Sequence, residues 1–283
     1  MRNRFSIDIR SVRKLLSNRL AMTGLIMLVF IILMCMLAPW ISPYDPSALN
    51  PSNKFQPMSW EHPLGTDQLG RDLLARILYG GRISIGIGLT SALLTNILGI
   101  ILGCFAGYFG GKVDSAILFV GDVLSCFPQL ILCMLVTCFL GNSVGWLIAI
   151  FVAHGWMSTM RMVRSKILSL KQEPYVDSCR VNGVGSGAIM FRHLLPNTVG
   201  VITVNVTLKI ASYVLSEAGL SFLGVGVNPS VPTWGNIINA AKSLSTMIKT
   251  PQLWIVPGVA ISLFVLACNF FGDGLRDALD VTQ

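Results

Sequence analysis

Charge is scarce in this chain. Only 12% of its 283 residues are Asp, Glu, Lys or Arg while 53% are hydrophobic, and a soluble domain of this length would carry about twice that charge. With a mean hydropathy of +0.68, the shortage excludes the ordinary soluble class and leaves a polytopic membrane protein. Histidine is rarer still. His62, His154 and His193 stand far apart and form no metal-ligand spacing, so no metal site is expected. A G-x-x-x-x-G-K-[ST] phosphate loop is missing: Gly111-Lys112 has neither the upstream glycine nor a following Ser or Thr. No nucleophile stands beside a recognisable base, so the chain is read as a non-enzyme that needs no cofactor of its own. Seven cysteines are present, but all except Cys179 fall in apolar runs and none in a segment placed outside, which argues against a disulfide framework. The net charge of +8 lacks a basic stripe interleaved with aromatics, and nucleic-acid binding is excluded with it.

What the chain has in abundance is apolar runs, and six are long enough to cross a bilayer: 20–37, 83–108, 115–140, 144–160, 199–223 and 254–271. The basic residues flank these runs. Fourteen Lys and Arg fall in the segments assigned to the cytoplasm and six in those assigned outside, so both termini are expected to be cytoplasmic. A cleavable signal peptide is disfavoured because the first run is long for one and lacks a small-x-small cleavage site.

Several features within the runs carry structural expectations. Gly99, Gly103 and Gly107 recur every fourth residue and clear one face of the second span for a close neighbour. Pro128, beside Gln129, should break the third span, whose inner end carries Asp122. Along the fifth span Asn205, Lys209, Tyr213 and Glu217 form one i, i+4 ridge, with Lys209 near mid-membrane. Either that ridge and Asp122 line a substrate route, or the ridge is an internal polar contact that fixes helix packing. Before the second span, Leu69, Leu73 and Ile77 share a face apart from Arg71, Asp72 and Arg76, which predicts a short amphipathic helix at the membrane interface. A second interfacial helix is expected over 236–244.

One polar, basic interlude, 171–197, interrupts the apolar pattern between the fourth and fifth runs. Pro174 suits a first helical turn and Asn182-Gly183 a stop, so 175–181 reads as a short helix. Ser186 is placed as the cap of a second helix over 187–195 that Pro196 closes. Val176 and Cys179 recur at helical spacing, as do Ile189 or Met190 with His193 and Leu194. Two-turn helices are marginal alone, so another surface should complete them.

This interlude resembles the coupling loop of ATP-binding-cassette importer permeases, whose pattern is Glu-Ala-Ala, three residues, Gly, nine residues, then Ile-x-Leu-Pro. Asp177-Ser178-Cys179 occupies the triplet, Gly183 the glycine, His193 the isoleucine and Leu195-Pro196 the end; the spacing is intact while the triplet and His193 depart in identity. Leu64-Gly65-Thr66-Asp67 with Gly70-Arg71-Asp72, the run from Glu217 to Gly224, and the ending from Gly272 to Asp277 are similar to the C-type permease of dipeptide, oligopeptide and nickel importers. The resemblance implies an all-α type I importer permease in the bacterial cytoplasmic membrane. It divides the chain into 1–38, a cytoplasmic tail and first membrane helix; 39–82, an extracytoplasmic loop with the interfacial helix; 83–273, a five-helix core containing 171–197; and 274–283, a cytoplasmic tail. It also implies partners: a second related permease, two cytosolic ATPase subunits and an extracytoplasmic solute-binding protein. Tyr175, Asp177, Ser178, Cys179, Gly183, His193, Leu195 and Pro196 would form the ATPase-coupling site. Small peptides are the expected cargo, nickel or a metal chelate the alternative within the family, and a self-sufficient channel or secondary transporter the alternative outside it.

Overall fold

The structure, a computed structural model, describes residues 9–279; Arg2, Arg4 and the tail residues 280–283 lie outside the described residues. It is all-helical in its described secondary structure, apart from one isolated bridge between Thr66 and Asp72. Five stretches qualify as spans by length and hydropathy, namely Arg19–Met36, Leu73–Phe109, Val144–Leu170, Ser186–Phe222 and Gln252–Leu279. The pair Gly111–Ser125 and Gln129–Leu140, bent by 75°, passes the same test only when taken together, and is a broken span or a re-entrant loop.

In chain order, α1 (Ile9–Ser17) leads into α2 (Arg19–Met36), capped by Asn18 Oδ1, which accepts from Leu20 N at 3.1 Å and Ala21 N at 3.2 Å. The short α3 (Ala38–Ile41) follows, with Pro39 in its first turn. α4 (Leu73–Phe109) is the longest element, and it packs most extensively on α7 (Val144–Leu170). Between them α5 (Gly111–Ser125) and α6 (Gln129–Leu140) form the bent pair; Pro128 caps α6, so the missing proline N–H falls where no helical donor is needed. α10 (Val199–Phe222) packs on α4 and on α13 (Gln252–Leu279), which in turn covers α2.

The glycine spacing in α4 is used as a seam. A Cβ on Gly99 would lie 2.8 Å from Trp156 O, on Gly103 2.8 Å from Met160 O, and on Gly107 2.9 Å from Arg164 O, so α7 rides directly on the α4 backbone. At the far end of α10, Gly224 (φ +85°) closes the helix: its N–H reaches Ser221 O and Val225 N reaches Leu220 O, both at 3.0 Å.

Two expected surface helices take other forms. No separate amphipathic helix precedes the second span: α4 begins at Leu73 with Asp72 Oδ1 accepting from Ala75 N at 2.7 Å, and Arg71, Asp72 and Arg76 are buried rather than exposed. They belong to a polar knot that folds the segment 42–72 onto α4. His62 Nδ1 meets Asp72 Oδ2 at 2.9 Å, Arg71 Nε donates to Asp67 Oδ2 at 2.7 Å, and Arg76 Nη1 donates to Pro46 O at 3.2 Å. The charges pair with one another, so no water-facing side is required. The helix expected over 236–244 is two: α11 (Trp234–Ala240) and α12 (Leu244–Lys249). α11 is inserted among α4, α10 and α13, with Trp234 Nε1 donating to Ile77 O at 3.0 Å. Gly235 permits this approach, since a Cβ there would sit 2.7 Å from Ala218 Cα.

Candidate functional site

The interlude between α7 and α10 folds from its own sequence signals. α8 (Pro174–Val181) starts on Pro174 and ends at Asn182-Gly183. Gly183 has φ +72°, its N–H reaches Arg180 O at 3.0 Å and Val184 N reaches Cys179 O at 3.0 Å, the paired bonds of a Schellman stop. A side chain bearing a Cβ is disfavoured at that φ, and the position is open: a Cβ there would meet nothing within 4 Å.

The second short helix differs from expectation. Ser186 does not cap it: Gly185 holds the N-cap position without a side-chain bond, and Ser186 is the first residue of α9 (Ser186–Ala188). α9 then runs through a π-turn, Ile189–Leu194, and a 3-10 turn, Leu195–Thr198, into α10. Pro196 therefore does not close the helix; it occupies an early position of the 3-10 turn, where the changed hydrogen-bond register absorbs its missing N–H. As a result 186–222 is one continuous helical run.

The loop has two sides. Val176, Ile189, Met190 and Leu194 are buried against Cys104 and Tyr108 of α4 and Val163 and Ile167 of α7. Each such side chain taken from water contributes about 1.5–3 kcal/mol, which is how helices this short become stable. Lys171 Nζ donates to Tyr108 O at 2.6 Å and lies over the Tyr108 ring, placing a cation on the last carbonyls of α4. Arg164 pairs with Asp114 beside it, tying α5 to α7.

The outer side carries Tyr175, Asp177, Ser178 and Gly183, all exposed, whereas Cys179, His193, Leu195 and Pro196 are half-buried, Cys179 and Leu195 packing against the anchoring cluster. Asp177 accepts from Arg180 Nη1 at 2.8 Å. Sequence reasoning passed over Val181, the most solvent-open large hydrophobic of the loop at 88% exposure. Its signal was legible: an apolar residue placed against the Asn-Gly stop instead of on the buried strip.

The ridge on α10 points into helix contacts. Lys209 Nζ donates to Gly155 O at 2.8 Å and Ser158 Oγ at 2.9 Å. Tyr213 Oη is 3.0 Å from Thr95 Oγ1, and its ring stacks on Phe151. Glu217 is fully buried and accepts from Ser84 Oγ and Ser221 Oγ, each at 2.8 Å. Asn205 Oδ1 accepts from Thr159 Oγ1 at 3.4 Å. Asp122 stands apart, exposed and paired with Arg161. The first four are thus brought to one seam and Asp122 is not.

Comparison with known proteins agrees with this architecture. Residues 99–281 match the family described as binding-protein-dependent transport system inner membrane component, and residues 9–57 match the N-terminal TM domain of oligopeptide transport permease C. The chain is 38% identical over 264 residues to the oligopeptide transport system permease protein OppC of Bacillus subtilis (strain 168), covering 93% of this chain and 86% of that protein. It is 36% identical over 271 residues to a protein of Brucella suis biovar 1 named as a peptide permease, covering 96% of this chain and 90% of that one. With five to six apolar helical spans and these matches, the chain belongs to the binding-protein-dependent transport system inner membrane components, as a multi-pass ABC importer permease of the C type.

Proposed function

We propose that this permease moves small peptides inward across the membrane, driven by ATP bound on other chains. The observation that carries the coupling half of this reading is the two-sided loop: an apolar face fastened to α4 and α7, and an open face of Tyr175, Asp177, Ser178, Val181 and Gly183. Two cytosolic ATPase subunits dock there and beneath a second, related permease, while an extracytoplasmic solute-binding protein delivers cargo. Both termini and the loop then lie in the cytoplasm, and nucleotide-driven closure of the ATPases displaces α8. That displacement crosses the short turn 182–185 to the helical run 186–222, which carries it into α10 and favours one of two arrangements of the spans.

Peptide is preferred to nickel because the relatives carry peptide names over nearly their whole length. On this reading the ridge residues Lys209, half-buried, and Tyr213 and Glu217, buried, hold the helices whose movement opens the route, and Asp122 and Asn205 keep access to it.

The test is Gly183→Trp in the assembled transporter. The left-handed φ costs about 1–2 kcal/mol, too little to unfold the chain, while the indole stands on the docking face. Peptide uptake should fall to background with membrane insertion and abundance unchanged. Gly187→Ala, also in open space but without a positive φ, should transport normally. Full uptake by a well-inserted Gly183→Trp protein refutes the coupling role.

A further inference from the structure

Lys209 lies near the middle of α10, half-buried, and its ammonium is only partly satisfied. Of its three N–H groups one goes to Gly155 O at 2.8 Å and one to Ser158 Oγ at 2.9 Å; both acceptors are neutral and both belong to α7. The Tyr213 ring lies 5.8 Å from Nζ. Among the described residues no carboxylate pairs with this lysine. Asp122 is taken by Arg161, and Glu217 is buried between Ser84 and Ser221. A lone charge at such a depth is costly, and it marks a place where a partner of opposite sign is bound. We propose that Lys209 binds the terminal carboxylate of the peptide cargo as it passes, an inference that rests on the peptide-import reading above.

The surroundings of Nζ select this occupant. Each step of four along a helix overshoots a full turn by about 40°, so Tyr213 and Glu217 swing away from Lys209 into the bundle, where both are buried. Steps of three and seven do the opposite. They bring Ser212, exposed, and Ser216, half-buried, to the open side of the lysine, where Ser158 of α7 is exposed as well. Hydroxyls there can serve the backbone amides of a peptide, which acyl chains cannot use. From Lys209 to Ser216 the helix rises about 10 Å, the reach of about three extended residues. A tripeptide anchored at Lys209 therefore ends beside Ser216. At that end a cavity of 280 Å³ brings Ser216 and Gly219 to Gln129 of α6, whose amide oxygen suits an amino terminus.

Uptake of radiolabelled trialanine and trialanine amide by the assembled transporter in proteoliposomes tests this, with both peptides supplied by the same solute-binding protein. Any preference of that protein is common to all variants, so a change in the acid-to-amide ratio belongs to the permease. A hydrogen bond to a charged group accounts for about tenfold in affinity, so Lys209→Gln should lower the ratio about tenfold, through the KM for the acid. Lys209→Arg should keep the parent ratio, and so should Ser158→Ala, which loosens the contact with α7 while leaving the charge in place. Equal losses of acid and amide uptake in Lys209→Gln would overturn the assignment, because the residue would then only hold α7 to α10. An unchanged ratio would overturn it as well. Carbodiimide cross-linking of Lys209 to the second permease would do the same, since the bound carboxylate would then be a protein's. A parent transporter that moves both peptides without ATP would refute the importer reading alone, with the ratio still reporting on Lys209.

Discussion

Replacing Gly103 by alanine adds a single methyl group where α4 and α7 touch, and the direction of the stability change is set by geometry. That methyl carbon would sit 2.8 Å from both Met160 O and Val163 Cβ, and the first of these is backbone that cannot rotate away. Ordinary carbon contacts lie at about 3.5–4.0 Å, so the helices must part by roughly 0.5–1 Å, and a gap of that size forfeits a quarter to a half of each dispersion well along the seam. Overpacking of this kind costs about 1–3 kcal/mol, while alanine in a helix recovers up to about 1 kcal/mol relative to glycine. Gly103→Ala should therefore be destabilising by about 1–2 kcal/mol. Gly86, on the same helix, meets nothing within 4 Å, and Gly86→Ala should be neutral or stabilising by up to about 1 kcal/mol. Unfolding both variants by SDS titration, followed by far-UV circular dichroism, gives the comparison. Maleimide labelling gives a local reading: Cys104 is a free, fully buried thiol next to Gly103 and should become reactive earlier in the Gly103 variant. Midpoints moving in the same direction by the same amount would show that the seam is not what α4 and α7 rest upon.

Two further outcomes rest on buried polar groups. Asp67→Ala would leave Arg71 and Arg76 buried with their nearest carboxylate gone, a loss of about 3–5 kcal/mol; limited proteolysis should then cut within 42–72 in the variant and spare the parent. Glu217→Gln keeps an oxygen for one of Ser84 and Ser221 and should change thermal stability little, whereas Glu217→Ala strands both hydroxyls and should cost about 1–3 kcal/mol. Equal melting temperatures for those two variants would contradict the hydrogen-bonded role given to the carboxylate.

The parts of this protein that sequence discloses are those governed by neighbours along the chain. Apolar length marks the membrane crossings, a proline marks the bend before α6, and Asn182-Gly183 marks the stop of α8, because each effect is settled within a turn or two. The i, i+4 glycines are of the same kind: they reveal that a partner approaches, although not that it is α7. Long-range pairing is what stays hidden. Arg71, Asp72 and Arg76 look like the wet side of a surface helix until His62, Asp67 and Pro46 O are brought to them by a fold-back that no periodicity announces. α11 misleads similarly. The stretch 236–244 reads as an interfacial helix, yet α11 lies among the spans and its Trp234 indole N–H finds Ile77 O. The loop at 171–197 was readable in position and first helix. Its second half was not, because serine beside glycine looks like a cap and proline looks like an end, whereas the π-turn and 3-10 turn pass the chain straight through both. The ridge on α10 was correctly seen as one face, but spacing alone does not say what that face meets.

The length of α4 has a mechanical consequence. Its 37 residues make a rod of about 55 Å, well beyond the hydrocarbon it crosses, with the His62–Asp72 clasp at one extremity and the Lys171–Tyr108 tether at the other. If such a rod tips as one body, a tilt of about 5° about its midpoint carries each extremity roughly 2 Å in opposite senses. Whatever leans on the Lys171–Tyr108 tether is then felt at the His62–Asp72 clasp through the helix itself, with no relay of side chains in between.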